Sequence, residues 1–182
     1  MKLLAVVGTN ADFSYNRFLA QFIAKRYADK AEIEVVETSG LPLFQRDGEP
    51  DEHVKAWVEK VDAADGLIIA TPEYDHLVPS SLKSALEWLG SHAGPNVMKD
   101  KPVMVVGTSL GAQGASRAQE DLREILLSPD QSANVLPGNE ILIGGAPRSF
   151  DADHHELTDE GAIAALDSTV ATFVKFVAQT KK

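Results

Sequence analysis

The chain contains no cysteine among its 182 residues. A disulfide scaffold, thiol chemistry and a thiolate-held metal are therefore excluded. Long apolar runs are also missing, because the first run, Leu3 to Val7, is far too short for a membrane span or the core of a signal peptide. We expect a cytoplasmic protein with no membrane partner.

Positive charge is scarce. Lysine and arginine number 17 against 27 aspartates and glutamates, which gives a formal net charge of −10. Phosphate backbones repel such a chain, and the sequence holds no basic cluster that would overcome the repulsion, so nucleic acid is not an expected partner. The length suits a single domain, residues 1–182, that buries a core without covalent staples.

Short apolar runs alternate with amphipathic segments along the chain. The runs are continuous, which is typical of strands covered on both faces. They are Leu3 to Val7, Ile33 to Val36, Leu67 to Ala70, Val103 to Val106 and, with a weaker pattern, Ile141 to Ile143. The stretch Leu127 to Asn139 contains two prolines and no clear period, so it is interpreted as a loop.

Apolar residues recur at helical spacing between these runs, for example from Val54 to Val61 and from Leu82 to Leu89. Strands separated by helices pair in parallel through right-handed crossovers. We therefore predict a flavodoxin-like α/β fold, a doubly wound five-stranded parallel sheet of order 2-1-3-4-5 with helices on both faces. A ligand would bind beyond the carboxyl ends of the first, third and fourth strands.

The loop after the first strand leads directly into a helix. A helix N-terminus offers unpaired N–H groups, and Thr9, Ser14 and Asn16 add side-chain donors, so this loop could hold a phosphate. It lacks the glycine patterns of Walker and dinucleotide-binding loops. The alternative is that Ser14 simply caps the helix.

The loop after the third strand is bounded by Pro72 and Pro79. Prolines fix the backbone, which suits a rigid platform for a planar ligand, and Tyr74 offers an aromatic edge. A proline-bounded turn with an exposed tyrosine explains the same residues equally well.

The loop after the fourth strand has glycines at positions 107, 111 and 114, which would let a flat ring approach the backbone. Gly107-x-Ser109-x-Gly111 also matches the nucleophile elbow of serine hydrolases, with Asp151 and His154 downstream. A serine hydrolase using Ser109 is thus one alternative, although the sequence shows no oxyanion loop. The spacing of residues 151–156 does not suit a metal site, and we expect no metal.

Together the three loops resemble the NAD(P)H-dependent FMN reductase family, flavodoxin-fold flavoproteins that include quinone, azo-dye and chromate reductases. The segment Thr71-Pro72-Glu73-Tyr74, followed by Pro79, Leu82-Lys83 and Glu87-Trp88, matches that family's motif after the third strand. The first loop resembles its phosphate loop, and Ser109 to Leu126 resembles its third motif.

The resemblance implies a cofactor site and the residues that form it. The FMN phosphate would be held by Thr9, Ser14, Tyr15 and Asn16. The isoalloxazine would have Pro72, Glu73, Tyr74 and Asp75 on one side and Ser109 and Gly111 on the other. The substrate would contact His76 and Gln113.

Three positions depart from the family pattern. Ala11 stands where the family often has arginine, so a charge-assisted contact worth about 1.5–3 kcal/mol is missing unless Arg17 or helix donors replace it. Asp75 and Leu77 stand where asparagine and serine are common.

The resemblance also implies an activity. FMN would take hydride from NADPH or NADH and pass two electrons to a small acceptor such as a quinone, an azo compound, a metal ion or a free flavin. The alternative is a flavodoxin-type electron carrier, which the small residues of the fourth-strand loop disfavour. Similar proteins usually form homodimers, sometimes homotetramers. Leu86, Trp88 and Leu89 exceed the needs of one helix stripe, which predicts a twofold mate on that helix.

Overall fold

The computed structural model describes residues 1–91 and 94–180. Three central strands are buried almost throughout, as their continuous apolar runs predict: β1 (Lys2–Val7), β3 (Gly66–Ala70) and β4 (Pro102–Thr108). The edge strand β2 (Glu32–Glu37) keeps only Val36 buried. Parallel pairing follows the order β2-β1-β3-β4-β5, with β5 at Asn134–Val135, which confirms the predicted order.

Helices cover both faces of the sheet. They are α1 (Tyr15–Arg26), α2 (Glu52–Asp62), α3 (Ser80–Gly90), α4 (Ser116–Leu127), the short α5 (Ala146–Ser149) and α6 (Glu160–Thr180). Because side chains alternate along a strand, Leu3, Ala5 and Val7 of β1 pack with α1 and α6, whereas Leu4 and Val6 pack with α2, α3 and α4. Each face of the sheet thus has its own apolar core.

The fifth strand differs from the sequence prediction. It is split into β5 and β6 (Leu142–Ile143), which pair with the beginning and the end of β4. The stretch Leu127 to Asn139, predicted to be a loop, contains β5. Between the two pieces, the Asn139 side chain accepts a hydrogen bond of 2.8 Å from the Val105 amide, in the place of a ladder bond. A two-residue strand followed by Pro137 shows no periodicity, which explains why the pattern missed it.

The predicted surface for a twofold mate on α3 is absent from the described residues, because the chain itself covers the side chains concerned. Leu86, Trp88 and Leu89 are 1%, 2% and 0% exposed. The Trp88 indole N–H donates to the Pro42 carbonyl at 2.9 Å, and the Phe44 ring packs against the indole edge to face. The segment between β2 and α2 therefore occupies the surface that a partner would have used.

The C-terminal helix α6 is, by length and composition, apolar enough to cross a membrane. Its residues Leu166, Val170, Phe173 and Val177 are fully buried and belong to the core on the α1 side of the sheet. Their spacing of three or four residues, about one turn, places them on one face of the helix, which packs against that core.

Candidate active site

A cavity of about 830 Å³ opens beyond the carboxyl ends of β1, β3 and β4, where the fold predicts a ligand. This volume lies in the usual range of cofactor sites. Nine of the twelve predicted site residues line it: Ser14, Tyr15, Asn16, Pro72, Glu73, Tyr74, Ser109, Gly111 and Gln113. The other three, Thr9, Asp75 and His76, lie outside its lining.

The first turn of α1 forms one end of the cavity. Ser14 is the N-cap residue, and its hydroxyl accepts a hydrogen bond of 3.3 Å from the Arg17 amide. The capping role is therefore confirmed. A helix leaves its first amides without intrahelical partners, so those of Tyr15 and Asn16 are available to an anion at this end.

The Asn16 side chain ties α1 to the end of β4. Its amide nitrogen donates to the Thr108 carbonyl at 2.9 Å, and its oxygen accepts from the Thr108 amide at 3.0 Å. Asn16 is 3% exposed, so this pair is protected from water. Because both of these bonds go to Thr108, Asn16 mainly positions the helix N-terminus relative to the fourth-strand loop. One hydrogen of its side-chain amide remains for a ligand.

Thr9 joins the first loop to the third. Its hydroxyl lies 2.7 Å from the Tyr74 hydroxyl and accepts a hydrogen bond of 3.1 Å from the Ala11 amide. Thr9 is completely buried, whereas Tyr74 is 43% exposed and presents its ring to the cavity. The bond therefore holds the aromatic wall in place from beneath.

Asp75 and His76 form a tight turn at the tip of the third-strand loop. Both have positive φ angles, 49° and 74°. Tyr74 and Leu77 on either side exchange backbone hydrogen bonds of 3.0 and 3.1 Å. This is the geometry of a two-residue turn with both central residues left-handed, which aspartate tolerates better than most residues. The predicted ligand contacts of Asp75 and His76 stay predictions.

Glu73 connects the third-strand loop to α4. Its carboxylate accepts hydrogen bonds from the Arg117 and Ala118 amides at 3.1 and 3.4 Å, and from the Arg117 guanidinium at 3.1 Å. The α4 N-cap, Ala115, has a φ of 61° and provides no side-chain cap. Glu73 therefore caps α4 from another loop and also belongs to the cavity lining.

Of the three glycines in the fourth-strand loop, one faces the cavity. A Cβ atom at Gly111 would meet nothing within 4 Å, so a ring could approach the backbone there. At Gly107 a Cβ would lie 2.7 Å from the Thr71 carbonyl oxygen, and at Gly114, with a φ of 59°, it would overlap the β6 backbone. Those two glycines serve close packing between chain segments.

The described residues 1–91 and 94–180 do not show the geometry that the serine-hydrolase alternative requires. The Ser109 hydroxyl donates to the Gly111 carbonyl at 3.1 Å. His154 pairs with Asp151 at 2.8 Å, and the His155 ring stacks on Phe18 with ring centres 4.0 Å apart. His154 and His155 thus have other partners, and among the residues that the structure describes no histidine forms the hydrogen bond to Ser109 that a hydrolase needs.

Two large apolar residues at the rim of the cavity were not predicted from the sequence. Phe13 and Leu110 line it although they are 60% and 73% exposed. Single exposed apolar side chains are common on protein surfaces, so the sequence contains no clear signal for these two beyond their position in the predicted ligand loops. Together with Tyr74 they give the cavity an apolar rim.

Arg17 does not replace the arginine missing at Ala11. Its guanidinium binds the Glu37 carboxylate at 2.7 and 3.1 Å and donates to the Asp12 carbonyl. The hydrogen bond with Glu37 raises the pKa of Arg17 above its usual value. Helix donors therefore remain as the groups that could balance a phosphate at this end.

The residues present fit FMN. The α1 N-terminus suits a phosphate, and a lining that includes Pro72, the Tyr74 ring and the open backbone at Gly111 suits a flat ring. Hydrogen bonds link all three loops in advance, so little ordering is required on binding.

Comparisons with known proteins identify the family of this chain. A family model described as "NADPH-dependent FMN reductase" matches residues 1–148. The chain is 64% identical over 184 residues to "NADH-dependent flavin reductase subunit 2" of Lactobacillus johnsonii, covering 100% of both chains. It is 42% identical over 184 residues to "NADH:(hydroxy)cinnamate reductase subunit CrdA" of Vibrio ruber, covering 100% of this chain and 90% of the relative.

A solved structure is similar over nearly the whole chain. It is the flavoenzyme NAD(P)H:(acceptor) oxidoreductase FerB from Paracoccus denitrificans, with a TM-score of 0.86, 26% identity and coverage of 98% of both chains.

Proposed function

This chain belongs to the NADPH-dependent FMN reductase family and is a flavin-dependent oxidoreductase that uses FMN, and from that premise we propose that it takes its electrons from NADH and delivers them to a flat aromatic acceptor, in the first place a free flavin. The observation that carries the proposal is the end-to-end identity of 64% with a relative named as an NADH-dependent flavin reductase. The name of the Vibrio ruber relative also specifies NADH.

The side chains in the cavity suit binding and orientation. FMN supplies the centre that accepts and releases hydride, so the chain needs no nucleophile of its own. Tyr74 of the third-strand loop and Gly111 of the fourth-strand loop both line the cavity, and the apolar side chains of Phe13 and Leu110 would help to exclude water from a ring bound there. The backbone of the fourth-strand loop offers N–H groups beside that ring.

An enzyme is favoured over an electron carrier by the openness of the wall at Gly111. Space for a second ring matters for a reductase, because donor and acceptor must each reach the flavin in turn. Gly111 and Gln113 leave that side without a large aromatic cover.

We also propose that the chain acts as one subunit of a cytoplasmic assembly. Both named relatives are described as subunits, which supports a partner of different sequence beside or in place of a homodimer. Light scattering on the purified chain would give the size of its own assembly. Co-expression with a candidate second subunit then tests mixed assembly. A monomeric mass under both conditions would contradict this part of the proposal.

The activity is tested by reconstituting the protein with FMN and following oxidation of NADH and NADPH in parallel, with riboflavin as acceptor. We expect a higher kcat/KM for NADH than for NADPH and bleaching of the bound flavin by NADH alone. A protein that stays yellow with both donors is a carrier, and equal or higher activity with NADPH contradicts the donor assignment.

A further inference from the structure

Arg117 is the one lysine or arginine among the residues that line the cavity, within the part of the chain that the structure describes. It shares the cavity lining with Gly111 and Gln113, and its side chain is 46% exposed. The protein as a whole carries a formal charge of −10, which repels an anionic substrate. A local cation at the entrance counteracts that repulsion where it matters.

Glu73 fixes Arg117 without using all of its hydrogen-bonding capacity. The carboxylate accepts from two backbone amides at the start of α4, and those amides share its negative charge. Toward the Arg117 side chain it takes a single bond of 3.1 Å, one of the five N–H donors that a guanidinium has. The Arg117 side chain is 46% exposed, against 13% for Glu73. The Glu73 carboxylate is therefore more deeply buried than the Arg117 guanidinium.

We propose that Arg117 binds the anionic group of the substrates that enter this cavity, and that the pyrophosphate of the reduced nicotinamide dinucleotide is the main one. The planar guanidinium fork matches two phosphate oxygens, and its attachment to Glu73 sets its orientation before the substrate arrives. The inference rests on the proposed function, since a dinucleotide must reach the flavin for turnover. To that function the inference adds a residue, Arg117, that favours negatively charged substrates over neutral ones.

The test compares charged and neutral substrates in the FMN-saturated protein. Donors are NADH and the neutral N-benzyl dihydronicotinamide, each with a neutral quinone as acceptor. For Arg117→Gln we expect kcat/KM for NADH to fall about tenfold, which corresponds to about 1.4 kcal/mol, mainly through KM. The value for the neutral donor should stay within about twofold.

The matched control is Arg46→Gln, which removes the same charge from an exposed residue outside the cavity lining. This control variant should leave kcat/KM unchanged for both donors. A pair of acceptors, a neutral quinone and its sulfonated derivative, shows whether Arg117 binds the anionic group of the donor or that of the acceptor. A loss confined to the sulfonated acceptor would support anion binding by Arg117 and transfer the assignment from donor to acceptor.

Equal losses with charged and neutral substrates would overturn the inference, because they would indicate a structural role. If Arg117→Gln does not fold, Arg117→Lys provides the measurement, because it keeps the charge and loses the planar fork. Its kcat/KM for NADH should fall several-fold while that for the neutral donor stays within about twofold, and equal losses with both donors would again overturn the inference. Arg117→Lys should retain part of the preference for the charged donor. A preference for NADPH would contradict the proposed function and leave this inference intact, since both dinucleotides contain the pyrophosphate.

Discussion

Replacing Glu73 by alanine tests whether one side chain joins the third-strand loop to α4. The substitution removes the acceptor of the Arg117 and Ala118 amides and the partner of the Arg117 guanidinium. Ala115 at the N-cap has no side-chain oxygen that could take over. We therefore expect the first turn of α4 to lose its cap and the adjacent cavity wall to loosen.

The expected loss of stability follows from the contacts that disappear. A helix cap contributes about 1 kcal/mol. The ion pair with Arg117, which is 46% exposed, adds less than about 1 kcal/mol because water screens it. The free energy of unfolding should fall by about 2 kcal/mol, and the melting temperature of a chain of this size by about 4–8 °C.

Urea unfolding of the protein without FMN measures this loss directly. Trp57 and Trp88 are buried in the core that contains α4, so their fluorescence reports global unfolding. Glu73→Gln keeps a neutral acceptor and should lose about half as much. A flavin fluorescence titration of the same variants should show weaker FMN binding.

Glu87→Ala is the matched control, because Glu87 forms an ordinary helix-surface pair with Lys83 at 2.6 Å. Such pairs contribute about 0.2–0.5 kcal/mol. If Glu73→Ala costs no more than Glu87→Ala, then Glu73 does not cap α4 and the reasoning is refuted.

Three further predictions concern the loops and the acid stability. Tyr74→Phe removes the 2.7 Å hydrogen bond between the first and third loops, so it should cost about 1 kcal/mol in urea unfolding and weaken FMN binding several-fold in a fluorescence titration; unchanged values would show that the bond is unimportant. Gly114→Ala should lower the melting temperature strongly because of its positive φ and the overlap with β6, whereas Gly111→Ala, with open space, should not; equal melting curves would contradict this. Hydrogen bonds from Arg26 lower the pKa of Asp167 from 3.8 to about 2. Its stabilisation is therefore present above pH 4 and lost as the pH falls toward 2, and Asp167→Asn should flatten that part of the urea stability profile by less than about 1 kcal/mol; an unchanged slope would show that this pair does not contribute.

Much of the fold was determined by the sequence alone. Continuous apolar runs identify β1, β3 and β4, because a strand covered on both faces has no polar side to show. Right-handed crossovers then limit the strand order, and the order places three loops at one edge. The positions of the cofactor loops therefore followed from local patterns combined with a general rule of chain topology.

The tertiary structure alone decided which distant groups meet. Asn16 bonds to Thr108 and Glu73 to Arg117 across 92 and 44 residues of chain, and no periodicity encodes such pairs. The burial of Trp88 depends on the segment at Pro42, so its apolar character was wrongly attributed to a second subunit. Local sequence indicates that a side chain must be buried or needs a hydrogen-bond partner. Which residue buries or binds it is determined only by the packing of elements far apart in the chain, because that depends on the geometry of the whole sheet and its loops.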